Sequence, residues 1–248
     1  MILSNPSRPI QGGQVILFDL DGTLRHNRPE ANNFLFDYVV SLGAMDSTQN
    51  RHTAIRWAHY YWAHSPELQE DVLKHVEMDE AFWEQYMIRK LQAFGCPVEQ
   101  AIKLAPIVSV YMDTYYEPED WIHSDVPDIL AALRAQGYRL GLVTNRSFPV
   151  DDYLEDIGLA QFFEVAVAAG EIQVWKPDPG IYRYALALLQ ATPEQAVYVG
   201  DNYYADVIGA ERANIRPILY DPEKIFEDVD CEVVSSLREI NQILTPTP

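Results

Sequence analysis

Five short apolar runs, most of them ending at a polar or acidic residue, set the tightest limit on what this chain can fold into. Val15–Phe18 runs into Asp19, 139–143 ends at Thr144, and Val165–Ala168 is followed by Ala169 and Gly170. The run 196–199 ends in Gly200 and Asp201, and 217–220 ends in Asp221. Runs this short and this apolar predict buried strands. Helical patterns separate the later ones: Val126–Ala135 is apolar at Ile129, Leu130 and Leu133 and stops at Gly137, with further helices expected over 177–190 and 204–213. Strands alternating with helices require crossover connections, and therefore a parallel sheet. Ser236 and Glu239 have capping-box spacing ahead of Ile240, Ile243 and Leu244, which predicts a last helix.

The stretch between the first two strands is too long for one crossover and is mostly helical in pattern. Phe34, Tyr38 and Leu42 fall at steps of four. Phe82, Tyr86 and Arg89 are less regular, but Trp83, Met87, Leu91 and Phe94 form a stripe. Ile102, Ala105, Ser109, Met112 and Tyr116 fit a single helix face, and Pro66 and Pro97 sit where helices start. The expected architecture is α/β: a Rossmann-like parallel sheet core from 1–27 and 122–248, with an α-helical cap domain inserted over 28–121. No internal repeat or low-complexity segment interrupts this plan.

A chain of 248 residues that is 48% hydrophobic builds such a core without staples. Its two cysteines, Cys96 and Cys231, lack paired or metal-ligand spacing, which suits a reducing compartment. No apolar run approaches the ~20 residues of a membrane span. Residues 1–13 lack a basic-then-apolar secretory pattern, so a cytoplasmic location is expected. The formal net charge of −19 works against nucleic acid and anionic membranes as partners. It also repels phosphate esters, so binding one needs a strongly positive local site.

Polar residues cluster where the predicted strands end, which is where open parallel sheets bind ligands. Asp19 and Asp21 follow the first strand, Thr144 and Asn145 the second, Lys176 lies a short loop beyond the third, and Asp201 and Asp206 follow the fourth. Taken singly, each has an ordinary structural role. Asp, Thr and Asn form turns and caps, and a lone lysine is usually solvated. Their order along the chain and their placement at strand ends favour one shared pocket.

The segments Asp19-Leu20-Asp21-Gly22-Thr23-Leu24, Val143-Thr144-Asn145, Lys176-Pro177-Asp178-Pro179 and Gly200-Asp201 through Asp206 resemble, in this order, the four motifs of the haloacid dehalogenase-like hydrolase superfamily. The resemblance reaches from residue 15 to about 214. The helical insert also resembles the caps of members that carry one between the first and second motifs. It implies a Mg²⁺-dependent phosphatase acting on a small phosphorylated metabolite.

Under that resemblance Asp19 is the nucleophile that forms an aspartyl-phosphate. Mg²⁺ is expected on Asp19, Asp201 and the main-chain carbonyl of Asp21, with Asp206 behind them or reached through water. Asp21 serves as acid and base, which calls for burial and a neighbouring carboxylate to retain its proton. Thr144, the amide of Asn145 and Lys176 face the phosphoryl oxygens. Gly22 allows a sharp turn, and Ala213-Asn214 stands where members of the superfamily commonly have an Ala-Gly pair.

Asp21 and Asp201 favour phosphoryl transfer over dehalogenation, and the lack of spans excludes a transporting ATPase. A phosphomutase remains the alternative, followed by a binding protein without turnover. Among the insert's aromatics, Trp57, Tyr60, Tyr61, Trp62, Phe82, Trp83, Tyr86, Tyr111, Tyr115 and Tyr116, most are expected to pack as cap core. The histidines are expected to be structural or surface residues. Arg25, Arg51 and Arg56 are candidates to meet an anionic substrate, although solvated positions are the simpler expectation, and Trp175 is expected to pack. The substrate and the oligomeric state are not encoded in any motif.

Overall fold

Val15, Ile16, Leu17 and Phe18 are wholly buried, with successive side chains entering opposite apolar layers. Ile16 and Phe18 join one core and Val15 and Leu17 the other, as the two-residue period of a strand requires. In the computed structural model, which describes residues 14–244, this strand is β1 (Val15–Phe18). The sequence expectation for 1–13 lies outside the described residues.

After β1 the chain forms β2 (His26–Arg28) and then α1 (Ala31–Ser41), α2 (Thr48–Trp62), α3 (Pro66–Lys74), α4 (Glu80–Ala93) and α5 (Val98–Tyr115). It returns through β3 (Glu119–Trp121), antiparallel to β2. There follow α6 (Val126–Ala135), β4 (Arg139–Thr144), α7 (Asp151–Asp156), β5 (Val165–Ala168), α8 (Ala169–Ile172) and α9 (Pro179–Leu188). The chain closes with β6 (Ala196–Gly200), α10 (Ile208–Arg212), β7 (Arg216–Tyr220), β8 (Glu232–Val234) and α11 (Ile240–Leu244).

The six main strands pair in the order β5-β4-β1-β6-β7-β8, all parallel. This is the α/β, Rossmann-like architecture expected from the strand and helix alternation. Helices cover both faces. Val126, Ile129, Leu130 and Leu133 of α6 pack on one with Ile240 and Leu244 of α11, and Ile181, Tyr182, Ala185 and Leu186 of α9 pack on the other. Each buried Val, Leu or Ile among them contributes roughly 1.5–3 kcal/mol relative to exposure. The chain adds β4 and β5 on one side of β1, then returns to place β6 on the other. The crevice between the carboxyl ends of β1 and β6 is therefore a topological switch point.

Helices α1, α2, α4 and α5 share an apolar core of their own, built on Phe36, Ala54, Leu91, Phe94, Ala101, Ala105 and Val108. Pro66 opens α3, and Pro97 directly precedes α5, so both prolines stand at helix starts. The buried face of α5 differs from the one the spacing predicts. It comprises Ala101, Leu104, Ala105 and Val108, whereas Ile102 is 51% exposed. The helix is apolar nearly all round, with Val98, Ile107 and Val110 also exposed, so periodicity leaves the inward face undecided and packing on α1 and α4 chooses it.

Two predicted boundaries also move. The segment expected as one helix over 204–213 begins as a π-helical turn, Tyr203–Val207, before α10. At the C-terminus Ser236 Oγ accepts from the Arg238 amide, but Glu239 reaches the amide of Ser235 rather than that of Ser236. A 3₁₀ turn, Leu237–Glu239, therefore precedes α11 in place of the reciprocal capping box.

Candidate active site

Asp19 leaves β1 with its amide hydrogen-bonded to the Val199 carbonyl of β6 (2.9 Å), which fixes it over the switch point. Three residues on, the chain turns sharply at Gly22, whose φ is +92°. A Cβ there would collide with the Asp201 carboxylate, so the turn and the acid need each other's space. Thr23 Oγ1 lies 3.3 Å from Asp19 Oδ2 and 3.4 Å from Asp201 Oδ1, tying the two carboxylates together. Gly200 plays a matching part on β6, because a Cβ there would strike the Asp206 side chain. Asn214, left-handed at φ 62°, turns the chain after α10 without a glycine.

Lys176 is 3% exposed and makes three contacts: to Asp19 Oδ1 (2.6 Å), Asp206 Oδ1 (2.7 Å) and the Tyr198 hydroxyl (3.0 Å). Its main chain is clamped by Asn145, whose Oδ1 accepts from the Lys176 amide (2.7 Å) and whose Nδ2 donates to the Lys176 carbonyl (3.1 Å). The ends of β4 and β5 are thus joined at this lysine. The π-helical turn carries Asp206 inward, where Oδ2 accepts from the Asn202 amide (2.9 Å).

Three carboxylates crowd this centre. Asp19, Asp201 and Asp206 each offer an oxygen within 4.8 Å of the others. Burial pushes Asp19 up from the usual carboxylate range, Lys176 pulls it back, and Asp206 pushes it up again. Burial, Asp19 and Asp206 together drive Asp201 far upward. Burial works against the Lys176 ammonium, yet Asp19 and Asp206 more than offset it and its proton is held tightly. One ammonium against three acids leaves the centre short of positive charge. Oxygen donors at this spacing fit a small divalent cation such as Mg²⁺, which prefers carboxylates, carbonyls and water. Asp206, already bound to Lys176 and the Asn202 amide, has less left to offer than Asp19 or Asp201.

Asp21 stands apart from this cluster. Its side chain is 40% exposed, and its charged neighbours are guanidinium groups. Arg146 donates from Nε to Oδ2 and from Nη2 to Oδ1, both at 2.8 Å, and Arg25 Nη1 adds a contact at 3.3 Å. The burial expected around Asp21 is absent, because the chain swings it outward toward the loop after β4, although its charge still reaches Asp19.

A cavity of about 310 Å³ opens onto all seven residues singled out in the sequence: Asp19, Asp21, Thr144, Asn145, Lys176, Asp201 and Asp206. His59 and Trp62 of α2, Arg146 and Asn202 line it as well. Burial pushes the His59 imidazole down to about 4, so it is neutral at physiological pH, and its Nδ1 has no partner among the described residues. His59 thus departs from the structural or surface role expected of the histidines. The candidate arginines lie elsewhere. Arg25 pairs with Asp120 and Asp21, Arg51 with Asp37 and Asp46, and Arg56 donates to the Ile225 carbonyl. Of the aromatics, Tyr61 and Phe82 are buried with Trp57, Trp62 and Tyr86 around them, while Trp83 and Tyr115 are exposed. Trp175 packs on the core beneath α9.

Sequence reasoning missed Arg146, Tyr198 and Asn202 as partners of the acids. Arg146 directly follows Thr144-Asn145, which is the one signal that would have pointed to it. The resemblance leads one to expect a helical cap over the sheet, but nothing in the sequence singles out α2 as the helix that lines the cavity.

This parallel sheet, with its acids and lysine at the strand ends, defines a hydrolase site of the haloacid dehalogenase-like type on a Rossmann-like fold. The haloacid dehalogenase-like hydrolase family matches residues 14–214, and the chain belongs to it. The phosphoserine phosphatase of Thermus thermophilus is 28% identical over 256 residues, covering 92% of this chain and 97% of that protein. The phosphoglycolate phosphatase of Salmonella paratyphi A is 29% identical over 198 residues, covering 78% and 75%. Among solved structures, the magnesium-bound HAD-hydrolase YfnB of Bacillus subtilis shares the fold, with a TM-score of 0.56 at 18% identity over 94% of this chain and 99% of that one. The protein is a hydrolase with phosphatases among its relatives, and among its described residues no helix is long and apolar enough to cross a membrane.

Proposed function

We propose that the protein is a Mg²⁺-dependent phosphatase that hydrolyses a small phosphomonoester through an aspartyl-phosphate on Asp19. The observation that carries this reading is the cluster of Asp19, Asp201 and Asp206 at the switch point, with Lys176 bound to Asp19 and Asp206. The cavity's size suits a metabolite rather than a polymer, and relatives named for phosphoserine and phosphoglycolate point the same way.

Asp19, Asp201 and the main-chain carbonyl of Asp21 would hold the cation. Its chemistry there is charge neutralisation, which lets an anionic nucleophile approach an anionic ester. Lys176 holds the Asp19 carboxylate in place and supplies positive charge to the phosphoryl oxygens. Thr144 and the Asn145 amide offer donors from the end of β4. Asp19 forms the new bond to phosphorus as the bond to the ester oxygen breaks, and that oxygen departs with a proton from Asp21, which carries one once substrate has freed it from the Arg146 fork. Asp21 then takes a proton from water as that water attacks phosphorus, releasing phosphate and regenerating Asp19.

Residues 28–121 form the cap domain in this reading, over a core of 1–27 and 122–248. Their separate apolar core, and His59 and Trp62 on the cavity wall, support it. The reading also places the protein in the cytoplasm. A net charge of −19 further disfavours nucleic acid or anionic membranes as partners.

The test is phosphate release from p-nitrophenyl phosphate, with and without Mg²⁺, by wild type and Asp19→Asn. Metal-dependent turnover that the substitution abolishes supports the reading. Turnover persisting in a purified Asp19→Asn protein removes Asp19 as nucleophile. Isomerisation of a sugar phosphate without phosphate release would mark a phosphomutase instead.

A further inference from the structure

We infer that Arg146 selects phosphoesters whose alcohol carries a carboxylate close to the ester oxygen, by exchanging its bond to Asp21 for one to that carboxylate. The inference rests on the phosphatase reading above and adds a substrate class to it.

Arg146 and Lys176 are the two arginine or lysine side chains on the cavity wall among the described residues. Lys176 is bound to Asp19, Asp206 and the Tyr198 hydroxyl, and what charge it has to spare is assigned to the phosphoryl oxygens. The same wall carries Asp19, Asp21, Asp201 and Asp206, so an additional anion on the substrate is repelled unless Arg146 faces it. The guanidinium is shaped for that task. Its planar fork already grips one carboxylate side-on, through Nε and Nη2 at 2.8 Å each. It lies 3.9 Å over the Tyr153 ring, and Tyr153 is itself anchored by its hydroxyl to Asp120 Oδ2 (2.8 Å). The fork therefore keeps its place when its partner changes.

Asp21 tolerates the exchange. It retains Arg25 at 3.3 Å as a second cation and is partly open to water. It is also the group assigned to the departing oxygen, so its neighbour Arg146 borders the alcohol half of the ester.

The test compares 2-phosphoglycolate with ethyl phosphate, which differ by a carboxylate in place of a methyl group, after turnover of p-nitrophenyl phosphate has been measured. Wild type is expected to prefer 2-phosphoglycolate by roughly tenfold or more in kcat/KM. Arg146→Gln should bring that ratio close to one, and Arg146→Lys, which keeps the charge but loses the fork, should retain only part of it. A wild-type ratio near one or favouring ethyl phosphate overturns the inference, as does a ratio that neither substitution changes. Absence of turnover on all three esters sinks the phosphatase reading and this inference with it.

Discussion

Lys176 and Asp19, 157 positions apart in the chain, meet at 2.6 Å in the buried crevice between β1 and β6. The same ammonium holds Asp206 at 2.7 Å, so one lysine is counter-ion to two buried acids. Lys176→Met should leave both acids without that partner and cost about 3–5 kcal/mol of stability, as breaking a buried pair does. Urea denaturation of the metal-free protein measures it, and an unchanged midpoint would contradict the prediction.

Gly22→Ala tests the turn that separates Asp19 from Asp21. The substitution meets both a left-handed φ of +92° and the Asp201 carboxylate. About 1–3 kcal/mol of stability should be lost to strain. Turnover should fall further than that, because Asp201 has to shift. Gly43→Ala is the control: its φ of +95° is similar, but nothing lies within contact of the added atom, so it should lose stability with little loss of turnover.

Within the helical segment, Asp71 is 1% exposed and accepts from Tyr61 Oη (2.9 Å) and Arg89 Nη2 (2.9 Å). Tyr61→Phe removes one hydrogen bond and should cost about 1–2 kcal/mol. Arg89→Met strands a buried carboxylate and should cost more, about 3–5 kcal/mol. Equal costs for the two variants, read from their denaturation midpoints, would show that the Asp71 charge is not what Arg89 holds.

Tyr182 should make the fold sensitive to alkali. Burial, with Tyr198 and Asp206 nearby, raises its phenol well above the ordinary value of 10.0, and its hydroxyl donates to the Ala205 carbonyl at 2.7 Å. The unfolded chain releases this proton near pH 10 while the folded chain retains it. The contribution is therefore fully present below pH ~10 and declines above it, by up to about 1.4 kcal/mol per pH unit. Stability of Tyr182→Phe should fall less steeply than that of wild type between pH 9.5 and 11; parallel curves would exclude the tyrosine as the cause.

Much of this fold was legible because its signals are local. The strand around Val15–Phe18 is a run of apolar residues with a turn glycine behind it, and Gly22 adopts the positive φ its place demands. Gly137, left-handed at φ +91°, ends α6 in the same way. These features depend on neighbours within a few positions, which the sequence displays directly.

The inward face of α5 was not legible, since a helix apolar on several sides carries no local record of which side its neighbours will cover. The surroundings of Asp21 were hidden for a related reason. Its partner Arg146 lies 125 positions away, and the expectation of a buried acid beside another acid treated Asp21 like Asp19, two residues earlier. In the structure the turn at Gly22 sends one acid into the crevice and the other out to the guanidinium groups.

The sequence by itself determined the strands, their polar ends and hence which residues could share a pocket, because strand period and turn chemistry are properties of short segments. Only the tertiary structure decided how those residues pair: Lys176 with Asp19 and Asp206, Asp21 with Arg146, and α2 above the cavity. Pairing of charges depends on distance and burial, and both arise when the sheet brings remote strand ends to one crevice.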